Sequence, residues 1–122
     1  MAEGLSVAAA NAALTTLAGT YTWVKLHTAA PGSAGTTAAA TETTRKQADW
    51  TTPSGGAMTT ETTALTWTSV AGSEDYTHFT VWDASTAGNF GFSGTVTANA
   101  VVAGDTFTIA IGDLDVSFST AS

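Results

Sequence analysis

From residue 20 onward, the apolar side chains of this chain recur at every second position, and that alternation decides which folds are open to it. The segment 20–28, TYTWVKLHT, places Val24 and Leu26 on one face of a strand and Trp23 and Lys25 on the other. Comparable runs separated by turn signals occupy 44–51, 62–70, 76–82, 90–98, 105–111 and 114–118. About seven short strands of this kind predict a mainly β fold, an antiparallel β-sandwich or jelly-roll-like barrel.

One short helix is predicted ahead of the strands, over residues 5–18. Ala10, Leu14 and Leu17 are spaced at i, i+4 and i+7, which gives a narrow apolar stripe. Ser6 is placed to cap the first turn. We expect this stripe to lie close against a sheet or against a partner subunit.

The chain is predicted to form a single domain over residues 1–122, with the β-sandwich spanning 20–118. Within it, the segment 29–42 is low in complexity and contains Pro31. Loops of this length in a small domain usually have a binding role or are disordered. We expect the 29–42 loop, together with the helix, to contact neighbouring subunits.

The composition argues against several classes of function. Only 11 % of the 122 residues are charged, and the formal net charge is -7. Arg45 and Lys46 form the only basic pair, too little for a nucleic-acid footprint. There is no apolar run of about 20 residues that would span a membrane. There are no cysteines, which excludes disulfides and zinc–thiolate sites.

The stretch SEDYTHFTVWD, residues 73–83, holds the densest chemistry in the sequence. At period two, both faces of 76–82 carry large apolar groups, which predicts a central strand buried on both sides. Glu74 and Asp75 precede that strand and Asp83 follows it. We expect Asp83 to accept hydrogen bonds from nearby backbone N–H groups in a turn.

A catalytic or metal-binding interpretation of the same residues is disfavoured. A hydrolase would need Ser73 beside His78 or His27, and no G-x-S-x-G motif is present. Calcium ligation by the acids near the C-terminus lacks the spacing of a calcium loop; these acids are Asp105, Asp113 and Asp115. The sequence therefore predicts no enzyme activity, no metal and no cofactor.

The four tryptophans divide into two groups. Trp67 and Trp82 are expected in the core, where they fill volume among many alanines. Trp23 shares its face with Lys25 and His27, which favours an exposed or subunit-facing position. Stacking of a sugar on Trp23 or Trp50 remains an alternative use of these rings.

Four segments resemble a family of small virion proteins from tailed phages of actinobacteria. They are WVKLHTAAPG (23–32), ETTRKQADW (42–50), DYTHFTVWDASTAGNF (75–90) and VVAGDTFTIAIGDLDV (101–116). Proteins of this kind are described as minor tail or tail-fibre proteins, and similar small β-domains decorate some capsids. The resemblance implies a structural protein of the virion, assembled in the host cytoplasm, without catalytic residues.

The sequence itself favours one of these two placements. A fibre usually has length, repeats or coiled-coil heptads for trimerisation, and the sequence has none of them. We therefore expect a capsid decoration protein on the outer head surface, bound to the major capsid protein as a homotrimer. The alternative is a minor tail or tail-fibre accessory protein that contacts other tail proteins and binds a host cell-wall glycan.

The residues predicted to form the interface come from the helix stripe, the polar face of the first strand, the long loop and the basic pair. They are Ala10, Leu14, Leu17, Trp23, Lys25, His27, Pro31, Arg45 and Lys46.

Overall fold

The computed structural model describes residues 4–60 and 64–118, with the side chains of 97–99 left aside. These described residues form one helix and eight strands, which confirms a mainly β fold with one N-terminal helix. The elements are α1 (Val7–Thr20), β1 (Trp23–His27), β2 (Lys46–Gln47), β3 (Ala57–Thr59), β4 (Leu65–Trp67), β5 (Glu74–Trp82), β6 (Phe90–Val101), β7 (Phe107–Ile109) and β8 (Asp115–Ser117).

The helix begins two residues later than predicted and runs two residues further. The Ser6 hydroxyl oxygen accepts a hydrogen bond from the Ala9 N–H at 3.1 Å, so the predicted cap is present. Ala10 and Leu14 are fully buried within this chain. The helix ends only after Gly19, where the Tyr21 N–H donates to the Leu17 carbonyl at 2.7 Å.

The main sheet has four antiparallel strands in the order β2-β1-β5-β6. β5 is an interior strand, as predicted, and it pairs with β1 from Trp23↔Trp82 to His27↔His78. Side chains that are paired directly across an antiparallel ladder lie on the same face. The inner face therefore carries side chains that are at most 1 % exposed, namely Val24, Leu26, Phe79 and Val81.

Two short antiparallel sheets, β3-β8 and β4-β7, supply the other side of the core. Trp67 is 1 % exposed, and its ring centroid lies 5.9 Å from that of Phe107. The Phe107 ring in turn meets Tyr76 of the main sheet at 4.9 Å between centroids. One cluster of buried residues thus joins the helix, the main sheet and the two short sheets in a sandwich-like arrangement.

Several predicted strands are shorter in the structure, and the structure contains one strand that the sequence did not predict. The predicted strand 44–51 is reduced to Lys46–Gln47, because Trp50 turns into the core and is 8 % exposed. The predicted strand 105–111 is reduced to Phe107–Ile109. The predicted turn 52–57 ends where the unpredicted strand β3 begins.

Some predictions fall outside the described residues. These are positions 62 and 63 of the predicted strand 62–70, and the ends of the predicted single domain at 1–3 and 119–122. The single-domain assignment stays a prediction.

Candidate functional site

The outer face of the main sheet, opposite the core, gathers the polar and aromatic residues singled out in the sequence. Register places Trp23, Lys25 and His27 of β1 on this face. Their partners on β5 are Trp82, Thr80 and His78. Phe90, Ser93 and Thr95 extend the same face onto β6.

A chain of hydrogen bonds runs through the buried part of this outer face. The Trp82 indole N–H donates to the Thr80 hydroxyl oxygen at 2.7 Å, and that hydroxyl lies 2.9 Å from His27 Nε2. His27 Nδ1 lies 2.9 Å from the Thr37 carbonyl oxygen, which can only accept. The neutral ring therefore carries its proton on Nδ1 and accepts the Thr80 hydroxyl proton at Nε2.

This arrangement suits a neutral imidazole. Burial lowers the pKa of His27 below its ordinary value, and the nearby positive charge of Lys25 lowers it further. Hydrogen bonds to the backbone at Thr37 and Ala38 act in the opposite direction. His27 is fully buried, and both of its ring nitrogens bond within the chain, so its role in this structure is internal.

The long loop 29–42 folds back over the outer face. The Ala40 N–H donates to the Leu26 carbonyl at 3.1 Å, and the Thr28 N–H donates to the Ala38 carbonyl at 3.0 Å. Pro31 and Gly35 are buried beneath the loop surface. A Cβ atom on Gly35 would lie 2.6 Å from the Phe90 ring, so only glycine allows the loop this close to the sheet.

The far end of the loop is anchored by a carboxylate of β5. Glu74 accepts hydrogen bonds from the backbone N–H groups of Thr41 and Glu42, at 3.0 and 3.2 Å. The loop thus packs against its own chain, and its exposed residues are 29, 30, 32–34, 36, 37, 39 and 41. That it also reaches a neighbouring subunit stays a prediction.

Arg45 joins the end of this loop region to the turn after β5. One guanidinium nitrogen, Nη1, donates to the carbonyls of Ala84 and Ala87 at 2.8 and 2.7 Å. The guanidinium carbon stands 4.4 Å from the ring centroid of Trp82. This cation–π contact covers the outer side of Trp82, which is only 7 % exposed.

The turn itself confirms the role predicted for Asp83. Its carboxylate accepts hydrogen bonds from the backbone N–H and the side-chain amide of Asn89, at 2.7 and 3.0 Å. These hydrogen bonds lower the pKa of Asp83, and the charge of Arg45 adds to the effect.

Between Arg45 and the turn lies a cleft of about 480 Å³, open to solvent. Its lining combines two cations, four hydroxyl side chains and one alanine: Lys25, Arg45, Thr43, Thr44, Ser85, Thr86 and Ala87. Burial and then the charge of Arg45 lower the pKa of Lys25. The cleft is therefore a positively charged, hydroxyl-rich site on an acidic chain.

The structure separates the predicted interface residues into buried and surface groups. Ala10, Leu14, His27 and Pro31 are buried by contacts within the chain. Leu17, Trp23, Lys25, Arg45 and Lys46 keep part of their surface exposed. A role for any of these residues in contacts between subunits stays a prediction.

The tryptophan predictions have mixed outcomes. Trp67 and Trp82 are both buried, as expected, but only Trp67 belongs to the core cluster, whereas Trp82 is buried on the outer face beneath Arg45. Trp50 is also a core residue, and its indole N–H donates to the Tyr21 carbonyl at 3.0 Å. Sugar stacking is therefore left with Trp23 as its surface candidate.

The residues considered for catalysis or metal binding are dispersed. Within 4–60 and 64–118, no three His, Cys, Asp or Glu side chains come together in a group that could hold a metal ion. The Ser73 hydroxyl oxygen accepts a hydrogen bond from the Ala103 N–H at 3.0 Å, which is a structural contact.

Sequence reasoning missed the cleft, although both of its edges were visible as motifs. One edge is Arg45, which belongs to the basic pair, and the other is DASTAG, which the sequence predicts to be a turn after a strand. Nothing in the sequence indicated that Arg45 and this turn meet, because their contact depends on β2 and β5 both pairing with β1.

Comparison with known proteins identifies one matching family. A family model described as "Podophage GP4 fiber I protein gp80" matches residues 4–117. A search of curated proteins finds no match. Over the described residues, no helix combines the length and the apolar character needed to cross a membrane.

Proposed function

Since the chain belongs to the podophage GP4 fiber I protein gp80 family, we propose that it is a non-enzymatic structural unit of a phage tail fibre or tail appendage. The family membership makes it a phage structural protein of the fibre type. Placement on the tail is the alternative that the sequence analysis ranked second, and the family description now favours it over capsid decoration.

The extent of the family match is the observation that carries this proposal. Residues 4–117 include α1 and all eight strands, from the helix cap at Ser6 to the last strand at Asp115–Ser117. The match therefore covers every described element of the sandwich-like fold of this chain, and not merely one loop or hairpin.

The way the loops are fixed agrees with a structural role. The 29–42 loop is held by the Glu74 carboxylate at one end and by Gly35 against Phe90 near its middle. The turn after β5 is held by Arg45. A domain whose long connections are fixed in this way can present constant surfaces to its neighbours in a particle.

The finer points of the assembly remain part of the proposal. We expect a homo-oligomer, a homotrimer in the simplest case, that contacts other virion proteins through the exposed members of the predicted interface. These are Leu17, Trp23, Lys25, Arg45 and Lys46. A host among the actinobacteria is supported only by the four sequence segments quoted above.

The position in the virion can be tested with a single engineered cysteine. The chain has no native cysteine, and Ser33 lies at the exposed surface of the 29–42 loop. Phage carrying Ser33→Cys would be labelled with maleimide-coated gold and examined by electron microscopy. We expect gold on the tail or its fibres, and gold distributed over the head would contradict the fibre assignment.

Two controls make the labelling interpretable. Phage with the unmodified chain should bind no gold through this protein, because the chain offers no thiol. Thr106→Cys places the label in a different exposed loop, so that burial of Ser33 in an interface does not conceal the protein.

A further inference from the structure

The cleft between segments 43–45 and 85–87 brings together most of the positive charge of this chain. We propose that it binds an oxyanion, either a carboxylate or a phosphate, carried on a small hydroxylated ligand. Such binding would hold whichever part of the virion contains the chain, since it depends only on the side chains that line the cleft.

The first argument is the balance of charge. The chain has three basic residues against ten acidic ones, and two of the three, Lys25 and Arg45, line this cleft. None of the lining residues carries a carboxylate. The chain as a whole, with a net charge of -7, repels anions. Within the cleft, however, no lining carboxylate cancels the positive potential of the two cations, so anions are attracted there.

Lys25 lacks a counter-ion in the described part of the chain. Neither a hydrogen bond nor an ion pair of its ammonium group is found among those residues. Burial and the neighbouring guanidinium of Arg45 both lower its pKa, which means that its charged form is held there at a cost. The negative charge of a bound anion would offset both effects by favouring the charged form of Lys25.

Arg45 is held in place before any ligand arrives. Its Nη1 donates to the Ala84 and Ala87 carbonyls, and its guanidinium carbon lies over the Trp82 ring, 4.4 Å from the centroid. Within residues 4–60 and 64–118, the hydrogen bonds of Arg45 use Nη1 and leave Nε and Nη2 as donors, the pair with which arginine recognises carboxylates and phosphates. Asp83 attracts Arg45, but both of its oxygens already accept hydrogen bonds from Asn89.

The rest of the lining indicates what carries the anion. Four hydroxyl side chains border the cations, and each can donate to or accept from a ligand hydroxyl. The volume of about 480 Å³ falls within the range of small-molecule sites and exceeds what a bare inorganic anion would occupy. A sugar acid or a polyol phosphate combines the two kinds of group.

Calorimetric titration of the purified chain tests this proposal. The probes are inorganic phosphate, glycerol 3-phosphate and glucuronate, with glycerol and glucose as their uncharged counterparts. We expect saturable binding of at least one hydroxylated anion, weakened by added salt, and no binding of the neutral probes. Glycerol 3-phosphate and glucuronate distinguish a phosphate source from a carboxylate source, and preference for either one supports the site.

A matched pair of variants separates the cleft from net charge. Lys25→Gln removes a lining cation, and we expect it to weaken anion binding at least about tenfold, the effect of losing one charge-assisted hydrogen bond. Lys46→Gln changes the net charge equally, but Lys46 does not line the cleft. It should leave the affinity within about twofold of the original.

Amide chemical shifts of the unmodified chain provide a second readout that needs no variant. Anion binding should move the signals of residues 43–45 and 85–87 first. The proposal is overturned if neither hydroxylated anion binds saturably by about 10 mM, a very weak affinity. Equal weakening by the two variants, equal binding of neutral probes, or shifts confined to other segments would overturn it as well.

Discussion

At the scale of single residues, the outer face of the main sheet depends on the protonation state of one imidazole. His27 donates from Nδ1 to the Thr37 carbonyl and accepts from the Thr80 hydroxyl, which in turn accepts the Trp82 indole N–H. These three hydrogen bonds are all satisfied only while the imidazole ring is neutral. A second proton on His27 would oppose the hydroxyl proton that it now accepts.

Stability should therefore fall as the pH drops below about 6.5, the ordinary pKa of histidine. The pKa of His27 is lower in the folded chain, so the unfolded chain binds the extra proton first and gains from acidification. Urea denaturation at pH 8.0 and 5.5 should give a lower free energy of unfolding at pH 5.5. This interval lies above the ordinary pKa values of Asp and Glu.

Two substitutions assign that dependence to one ring. His27→Gln should remove most of it, while lowering stability at pH 8.0 by about 1–3 kcal/mol through lost buried hydrogen bonds. His78→Gln alters the neighbouring histidine in the register and should keep most of the dependence. If His27→Gln retained the full dependence, the pH sensitivity would have to come from another group.

At Tyr76, in contrast to His27, we expect that removing a polar group does not lower the stability of the fold. The Tyr76 hydroxyl is buried and has no hydrogen-bond partner of good geometry within the described residues, although Glu74 lies close enough to attract its proton and, with Glu42, adds negative charge beside it. Tyr76→Phe removes the unsatisfied group and keeps the ring contact with Phe107. We expect thermal denaturation to show unchanged or increased stability, by up to about 1 kcal/mol.

The same hydroxyl makes the folded chain sensitive to alkali. Burial and the two acids raise the pKa of Tyr76 to about 12. An unfolded tyrosine ionises near pH 10, so stability should decline between about pH 10 and 12 as the unfolded chain loses its proton. Tyr76→Phe should lessen this decline, whereas Tyr21→Phe serves as a control for the loss of a hydroxyl. A destabilisation of Tyr76→Phe by more than about 1 kcal/mol would indicate a hidden partner.

At the scale of elements, the 29–42 loop depends on close approach at Gly35. Gly35 has φ +72°, and a Cβ there would also strike the Phe90 ring. Gly104 has φ +93° with open space around it, so it isolates the backbone strain alone. Gly104→Ala should lower the free energy of unfolding by about 1 kcal/mol through backbone strain. Gly35→Ala should lower it by roughly a further 1–3 kcal/mol, because its Cβ also clashes with the Phe90 ring.

Hydrogen exchange shows whether that cost falls on the loop. In Gly35→Ala the amides of Thr28 and Ala40, which donate to loop and strand carbonyls, should exchange faster than in Gly104→Ala. Equal stabilities and equal exchange for the two variants would mean that the loop is not held through Gly35.

How far the elements follow from sequence depends on whether their contacts are local. The segment from Tyr76 to Trp82 predicted an interior strand, because its alternate residues carry large apolar groups on both faces and this pattern is visible within the segment itself. β3 spans only Ala57–Thr59 and follows two glycines, so nothing local distinguishes it from a turn. It exists because Met58 pairs with Val116 of β8.

The candidate site was less accessible than the fold for the same reason. Lys25 and Arg45 were both among the predicted interface residues, but as separate surface charges. Their meeting in one cleft follows from Arg45 reaching the carbonyls of Ala84 and Ala87, far along the chain. Likewise, the sequence marked 29–42 as a loop but not that Gly35 seats it on Phe90.

At the scale of the whole molecule, the core should melt as one unit. Leu14 of the helix, Val24 of the main sheet and Trp67 of a short sheet belong to a single buried cluster. We expect unfolding followed by tryptophan fluorescence and by far-ultraviolet circular dichroism to give coincident transitions. Two separate transitions would contradict the predicted single domain.

The order of the strands along the sequence also limits how the chain can fold. The central ladder joins residues 23–27 to residues 78–82, with β2, β3 and β4 synthesised between them. Folds dominated by such distant pairings form slowly, because a large loop must close before any contact compensates for it. On the ribosome, only the short β2 can pair with β1 at first, and the other edge of β1 stays open until Trp82 has emerged. Chaperones or neighbouring copies of the chain can bind that edge during the interval.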